Sequence, residues 1–366
     1  LIKTDMSTEP MYFPDTLDGM VEYVDSLSFP DPQKRVVVGV KNPREGAVAH
    51  KAGETLVVGG VEMKPGAMQL ELEDGTKIHN FYPKDGGNTL DGVRAECKER
   101  GHKIALSIEV WDWRKRQGTT RLLGTVKDEA ACMKMLEKDY HAYEVTPCFL
   151  PRTMVLDIEW EENHKPSLKE RRGLAITLYF VVTTLRMLGV NPRRDRFGLL
   201  RGTRMKEEGM KYSFHACFTD VFFSSPEDEY HYKEFILGVW AKPPTDELAA
   251  LSEEMRIYRK NKKQQDLISY TLDEAPIGRK RGQMRLIGQT KYGKPGSALA
   301  VVVEGAGRWL YGWYEDNPPE GALRPDFTGE TFTGLMKRKL KRIRREVSDQ
   351  EVLAVLHGLN FREKVA

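Results

Sequence analysis

Thr153-Met154-Val155-Leu156-Asp157-Ile158-Glu159-Trp160 is the stretch from which the fold can be read. β-Branched and large apolar residues follow Pro151, and such a run reads as a buried strand. Side chains alternate across a strand, so Asp157 and Glu159 leave it on the same face. Apolar neighbours surround them, and a lone charge buried there is costly. Twice the strand rise sets the two carboxylates about 7 Å apart, which suits a shared cation. Oxygen donors of this kind favour Mg2+ or Mn2+ over zinc. Taken alone, the pair reads equally well as a strand end whose acids meet solvent.

The rest of the sequence narrows the choice. A chain of 366 residues suits one large domain or two ordinary ones. With 40% hydrophobic residues it can pack a core, and a folded chain is expected rather than wholesale disorder. A net charge of +3 barely favours nucleic acid, and any such partner must be argued from local charge. Cys97, Cys132, Cys148 and Cys217 form no CxxC pair and have no His at zinc-ligand spacing, which argues against a structural zinc site. Sparse cysteine suits a reducing compartment. Leu174 to Val190 is the longest apolar stretch; Thr and Arg interrupt it, so a core helix is expected and no membrane span. No signal-peptide pattern opens the sequence as given.

Outward from the acidic strand, the N-terminal side alternates strand and helix. Residues 1–80 are Pro- and Gly-punctuated, with a strand expected over 35–40 and a hairpin around Asp74-Gly75, and read as a β-rich extension. A helix is expected over 89–100, strands over 103–113 and 119–126, and a helix capped by Asp128 running to about Lys138. His141 to Val145 leads into the acidic strand. On the C-terminal side, Ser167 and Glu170 form an S-x-x-E capping box for a helix to about Leu188. Arg193, Arg194, Arg196, Arg201 and Arg204 crowd the next connection and read as a solvated surface. In the strand over 211–220, Lys211, Ser213 and His215 share one face and offer donors and positive charge to a phosphate. Residues 245–263 read as an exposed charged helix, 268–273 as a short strand ending in Asp273, 278–282 as a basic turn and 284–289 as a strand presenting Arg285. The run from Lys337 to Arg345 is a dense cationic segment, solvated or bound to a nucleic-acid backbone.

Three elements stand in order: Asp157-Ile158-Glu159, Ser213-Phe214-His215 preceded by Lys211, and Leu272-Asp273. The order D-x-E, S-x-H, apolar-Asp resembles the archaeo-eukaryotic primase superfamily, most closely the eukaryotic and viral primase-polymerases (PrimPol-like proteins). Tyr143-Glu144-Val145 is similar to the family's Y-E-V, and Arg281, Arg285 and Lys291 stand where the family has its basic residues after the third motif. The likeness covers about residues 80–345. The sequence departs from the pattern at Pro276 and Ile277, where V-Y is usual, and carries no counterpart of the Cys/His module many members have after the core.

The resemblance implies an α/β (α+β) fold: a primase catalytic core of two mixed α/β modules, with an RRM-like sheet carrying the acids. The expected divisions are an extension over 1–80, a core over 81–330 with modules at about 81–145 and 146–330, and basic helices over 331–366. It further implies a template-directed DNA polymerase or primase. Asp157, Glu159 and Asp273 would hold one or two cations, Mg2+ or Mn2+. Lys211, Ser213, His215, Arg281, Arg285 and Lys291 would cradle the triphosphate, Tyr143 would lie near the sugar, and Arg121 would touch the template. Partners would be single-stranded or primer-template DNA and dNTPs or NTPs, in a nucleus, a mitochondrion or a virus-infected cell. Two alternatives stay open. One is a binding module with this fold and no chemistry, against which the intact acids argue. The other is a two-metal nuclease, against which the basic cradle argues.

Overall fold

A computed structural model of the chain describes residues 10–30, 47–49, 57–58, 61–62, 68–71, 77–79, 99–102, 104–111, 119–136, 141–147, 152–260, 266–273, 277, 281–291, 297–304, 321–332 and 334. Helix α1 (Leu17–Ser26) comes first, its N-terminus capped by the Thr16 hydroxyl, which accepts the N–H of Gly19. Short strands follow: β1 (Ala47–Ala49), β2 (Val57–Val58), β3 (Val61–Glu62), β4 (Met68–Glu71) and β5 (Lys77–His79). Next come β6 (Ile104–Trp111), β7 (Thr119–Val126), α2 (Glu129–Met135) and β8 (Ala142–Pro147). The acidic strand is β9 (Arg152–Glu161), followed by α3 (Glu170–Met187), β10 (Phe197–Arg201), β11 (Arg204–Lys206) and β12 (Gly209–Phe223). Helices α4 (Pro226–Ala241) and α5 (Asp246–Met255) lead to β13 (Arg256–Lys260), β14 (Asp266–Tyr270), β15 (Leu272–Asp273), β16 (Arg281–Arg285) and β17 (Ala300–Val303).

The chain divides into two compact units, one of Leu1–Phe29, Cys148–Lys280 and Val302–Ala366, the other of Pro30–Pro147 and Arg281–Val301. Both are mixed α and β, built on antiparallel strand pairs, so the α+β class expected from sequence holds. In the second unit one sheet runs β1-β4-β5-β7-β6-β8-β16. Strands β4 and β5 pair as the Asp74-Gly75 turn signal requires, and β5 pairs on to β7. The sheet is therefore continuous across residue 80, where the sequence placed a boundary. The seventh strand, β16, arrives from beyond residue 280 and pairs with β8. Asp128 caps α2 as expected, its carboxylate accepting the N–H of Ala131 at 2.9 Å.

In the first unit the sheet runs β15-β9-β12-β10-β17, with β11 pairing β12 at the side. Leu156, Ile158 and Trp160 of β9 and Tyr212, Phe214 and Ala216 of β12 are buried with Leu174, Leu178, Val181 and Leu185 of α3 in one core. These α3 residues recur at helical spacing, so the helix presents one apolar stripe to the sheet. Helix α1 adds Met20 and Val24 to the same core.

Three expectations are corrected. The Ser167–Glu170 capping box does not form: the residue before α3 is Lys169, which makes no side-chain cap. Glu170 instead accepts Arg201 Nε at 2.7 Å, Arg201 Nη2 at 2.8 Å and the Thr203 hydroxyl at 2.5 Å. A bidentate guanidinium outweighs a local backbone cap. The charged helix expected over 245–263 stops at Met255, and the chain continues as β13. The single strand expected over 268–273 is two strands, β14 pairing β13 and β15 pairing β9. The expected strand at 35–40, most of the helix over 89–100, the turn at 278–280 and the basic run from Lys337 to Arg345 lie outside the described residues. No helix among the described residues is long and apolar enough to cross a membrane.

Candidate active site

Strand register assembles the three motifs of the first unit. Asp157 of β9 stands directly opposite His215 of β12 and, on its other side, opposite Asp273 of β15. Directly opposed residues of antiparallel strands point to one face. Asp273, Asp157 and His215 therefore form one row across three strands. Two residues along β9, Glu159 opposes Ser213; two further, Glu161 opposes Lys211. The apolar residues between them face the core, so one side of this sheet is hydrophobic and the other carries acids, a hydroxyl, an imidazole and an amine.

Along β9, Asp157, Glu159 and Glu161 are half-buried while Leu156, Ile158 and Trp160 are buried. Lys211 Nζ lies 2.6 Å from Glu159 Oε2, with the two side chains 12% and 28% exposed. Its direct neighbour Glu161 is held by Lys206 of β11, 2.8 Å from each carboxylate oxygen. Burial pushes the Glu161 carboxyl up, but the hydrogen bond and charge of Lys206, with the charge of Lys211, outweigh it and leave the group below the usual carboxylate range. Glu159, Lys211 and Asp273 line a cleft open to solvent. Its other wall is the β13–β14 hairpin, including Ile257, Arg259 and Tyr270.

Two contacts fix the acidic rows. Trp160 Nε1 donates to the Leu168 carbonyl at 3.1 Å, and its ring lies against Gly173 of α3. A Cβ at residue 173 would come within 2.3 Å of the Trp160 ring, so glycine permits the close approach. Thr271, between β14 and β15, receives the Glu159 N–H at its carbonyl at 2.8 Å and donates its own N–H to the Met255 carbonyl at 3.1 Å. Its hydroxyl lies 2.6 Å from that of Thr177. The β15 edge, and with it Asp273, is thereby tied to both α5 and α3. Thr177 and Thr271 carry no signal in the sequence, because their partnership spans 94 positions.

The remaining residues expected at the site belong to the second unit. Tyr143 is 5% exposed and its hydroxyl donates to Glu109 Oε2 at 3.0 Å. Arg285 is 2% exposed and donates to the Ser297 carbonyl. The Lys291 N–H donates to the Ser297 hydroxyl at 2.8 Å. Arg281 opens β16 opposite Pro147, and Arg121 opposes Glu109 on the β6–β7 pair. The register thus brings together Asp157, Glu159, Asp273, Lys211, Ser213 and His215, all of the first unit, and leaves the other five in the second.

The arginine-rich connection after α3 was read as a solvated surface, and most of it is structural. Arg201 is buried on Glu170, Arg193 Nη2 pairs with Asp195 at 2.5 Å, and Arg194 lies over the Tyr23 ring at 5.3 Å. Among the described residues, no three His, Cys, Asp or Glu side chains stand close enough together to hold a metal ion as they are. The carboxylates of Asp157, Glu159 and Asp273 share one face and remain a donor set for a hard divalent cation. The chain matches no protein-family model and no curated protein sequence.

Proposed function

We propose that this chain is a template-directed nucleotidyltransferase with a primase-polymerase type of catalytic core, adding nucleotides to a 3′-hydroxyl on a DNA template. The observation that carries the reading is the register: three motifs spread over more than a hundred residues meet on one face, with Asp157 between Asp273 and His215. A structural role for any one acid would not require all three motifs to share that face.

Asp157, Glu159 and Asp273 would hold Mg2+ or Mn2+, which when bound supplies Lewis-acid polarisation of hydroxyl and phosphate oxygens. The protein's own groups supply the rest. His215 and Ser213, both buried, share the face of the acidic rows and would offer donors to a phosphate brought there, in a sheet that fixes their backbone. Lys211 is engaged with Glu159, so an anionic phosphate brought to this face competes with that carboxylate for the amine. No protein nucleophile is needed, and rate enhancement comes from positioning and charge.

The test is extension of a labelled primer on a longer template with dNTPs and Mg2+ or Mn2+, beside an unprimed strand. Extension by the wild-type protein and none by Asp157→Ala is the expected result. Products on the unprimed strand would add initiation. No extension under either metal, with DNA still bound, would leave a binding module with this arrangement of strands.

A further inference from the structure

The hairpin of β13 and β14 belongs to neither large sheet; it is a two-stranded ribbon. Such a ribbon is marginal by itself and must be anchored. Its base supplies the anchors: Ile257 is buried in the core, and the Tyr270 ring stacks on Trp240 with centroids 4.0 Å apart and planes 6° from parallel. Beyond the base the character changes. Tyr258 and Ile268 are directly opposed across the strands, and both remain exposed, at 58% and 54%. In the next pair Arg259 opposes Leu267, which is also exposed. In sequence, residues 256–263 carry Arg256, Arg259, Lys260, Lys262 and Lys263 and no acid.

A rigidly based ribbon that leaves an aromatic ring and two aliphatic side chains in water is unexplained by packing. Cations interleaved with an exposed aromatic fit one partner chemistry: a polyanion that also carries flat apolar rings. Single-stranded nucleic acid has both, and aromatic platforms flanked by basic residues bind it with little regard to sequence. The ribbon's other face supplies Ile257, Arg259 and Ser269 to the cleft that also holds Glu159, Lys211 and Asp273. An acidic peptide would satisfy the cations but would not use Tyr258.

We propose that the β13–β14 hairpin is a single-strand binding element, with Tyr258 stacking on a base and Arg259 contacting a backbone phosphate beside the acidic cleft. This deepens the polymerase reading, on which the identity of the strand as template rests; binding itself requires no catalysis and is measured apart from it.

The experiment is fluorescence anisotropy of a labelled oligo(dT) titrated with the full chain over a series of salt concentrations, with extension assayed in parallel. Tyr258→Ala should weaken binding by about tenfold, the order expected for loss of one stacked base. Tyr258→Phe keeps the ring and should bind within about twofold of wild type, although it gives up the hydroxyl that accepts from Arg256 at 3.3 Å. Arg259→Gln should lower the salt slope by about one. Both residues are exposed, so the variants should melt with the wild type, which circular dichroism checks. Weakened binding in Tyr258→Ala without extension in any variant would keep the hairpin and remove the polymerase. Unchanged affinity in both Tyr258→Ala and Arg259→Gln, equal loss in Tyr258→Phe, or no binding by the wild-type chain would overturn the hairpin assignment.

Discussion

The two units treat their polar residues in opposite ways. In the first, the acids of β9 and β15 stand in register on a half-buried face beside an open cleft. In the second, Tyr143 and Arg285 are buried, and each side chain is bonded inside its own unit. Both sets were read from the same kind of motif. The difference is that the first set's acids flank an open cleft, with Glu159 paired to Lys211 of the same face, whereas the Tyr143 hydroxyl and the Arg285 guanidinium are bonded to other groups of their own unit. A motif position tells which residue type is present, and the surroundings tell whether it is available.

The largest effect that would sharpen this contrast is a separation of activity from stability. Asp157→Ala should cut nucleotide addition at least about 10²-fold, as removal of a preorganised electrostatic group does, and leave the melting curve unmoved. Arg285→Ala should do the reverse in its first consequence, costing about 3 kcal/mol in urea denaturation by leaving a buried carbonyl without its charged donor. If Arg285→Ala instead folds with wild-type stability and raises the KM for nucleotide, Arg285 rejoins the triphosphate set and the contrast fails there.

Strand β12 offers a test within the first unit. Asp220, on the strand that carries His215, has its carboxyl pushed up to about 6 by burial, although its Oδ2 accepts the Arg193 N–H at 2.9 Å. An acid with a folded value above its unfolded one holds its proton more tightly when folded. Its contribution to stability is therefore fully present below about pH 4 and withdrawn as the pH rises to about 6, by about 3 kcal/mol at a rate of about 1.4 per unit. Asp220→Asn should flatten that part of the stability–pH curve; an unchanged curve would place the titration elsewhere. Gly173→Ala forces a Cβ into the Trp160 ring and should cost about 2 kcal/mol. If β9 shifts in response, extension falls as well. The smallest effect is Tyr143→Phe, which gives up one hydrogen bond to Glu109 and about 1 kcal/mol.

What was legible in the sequence was whatever a local pattern decides. Alternation over 153–160 and 211–220 gave both central strands and the face on which each acid, hydroxyl and imidazole stands. Asp128 was legible as a cap because its partner is three residues away. The misread features all have distant partners. Glu170 looked like half of a capping box, and Arg201, 31 residues on, claims it. Residues 256–260 continue the charged composition of α5, but pairing with β14 makes them a strand. The continuity of the second unit's sheet across residue 80 depends on β5 meeting β7, a pairing that no short-range signal encodes. The break of 268–273 into two strands is invisible for the same reason, since Leu272 and Asp273 turn to β9.

That break has a mechanical consequence. Thr271 is a fulcrum: on one side of it the chain is the ribbon that carries Tyr270 and Ile268, on the other it is the strand that carries Asp273. Its three bonds, to Glu159, Met255 and Thr177, clamp the pivot to three separate elements. A load on the ribbon reaches Asp273 through this point, two residues away, and the same clamp holds the backbone of Glu159. Tension along β14 and the spacing of the carboxylates are thus geared to one residue that has no charge and no place in any motif.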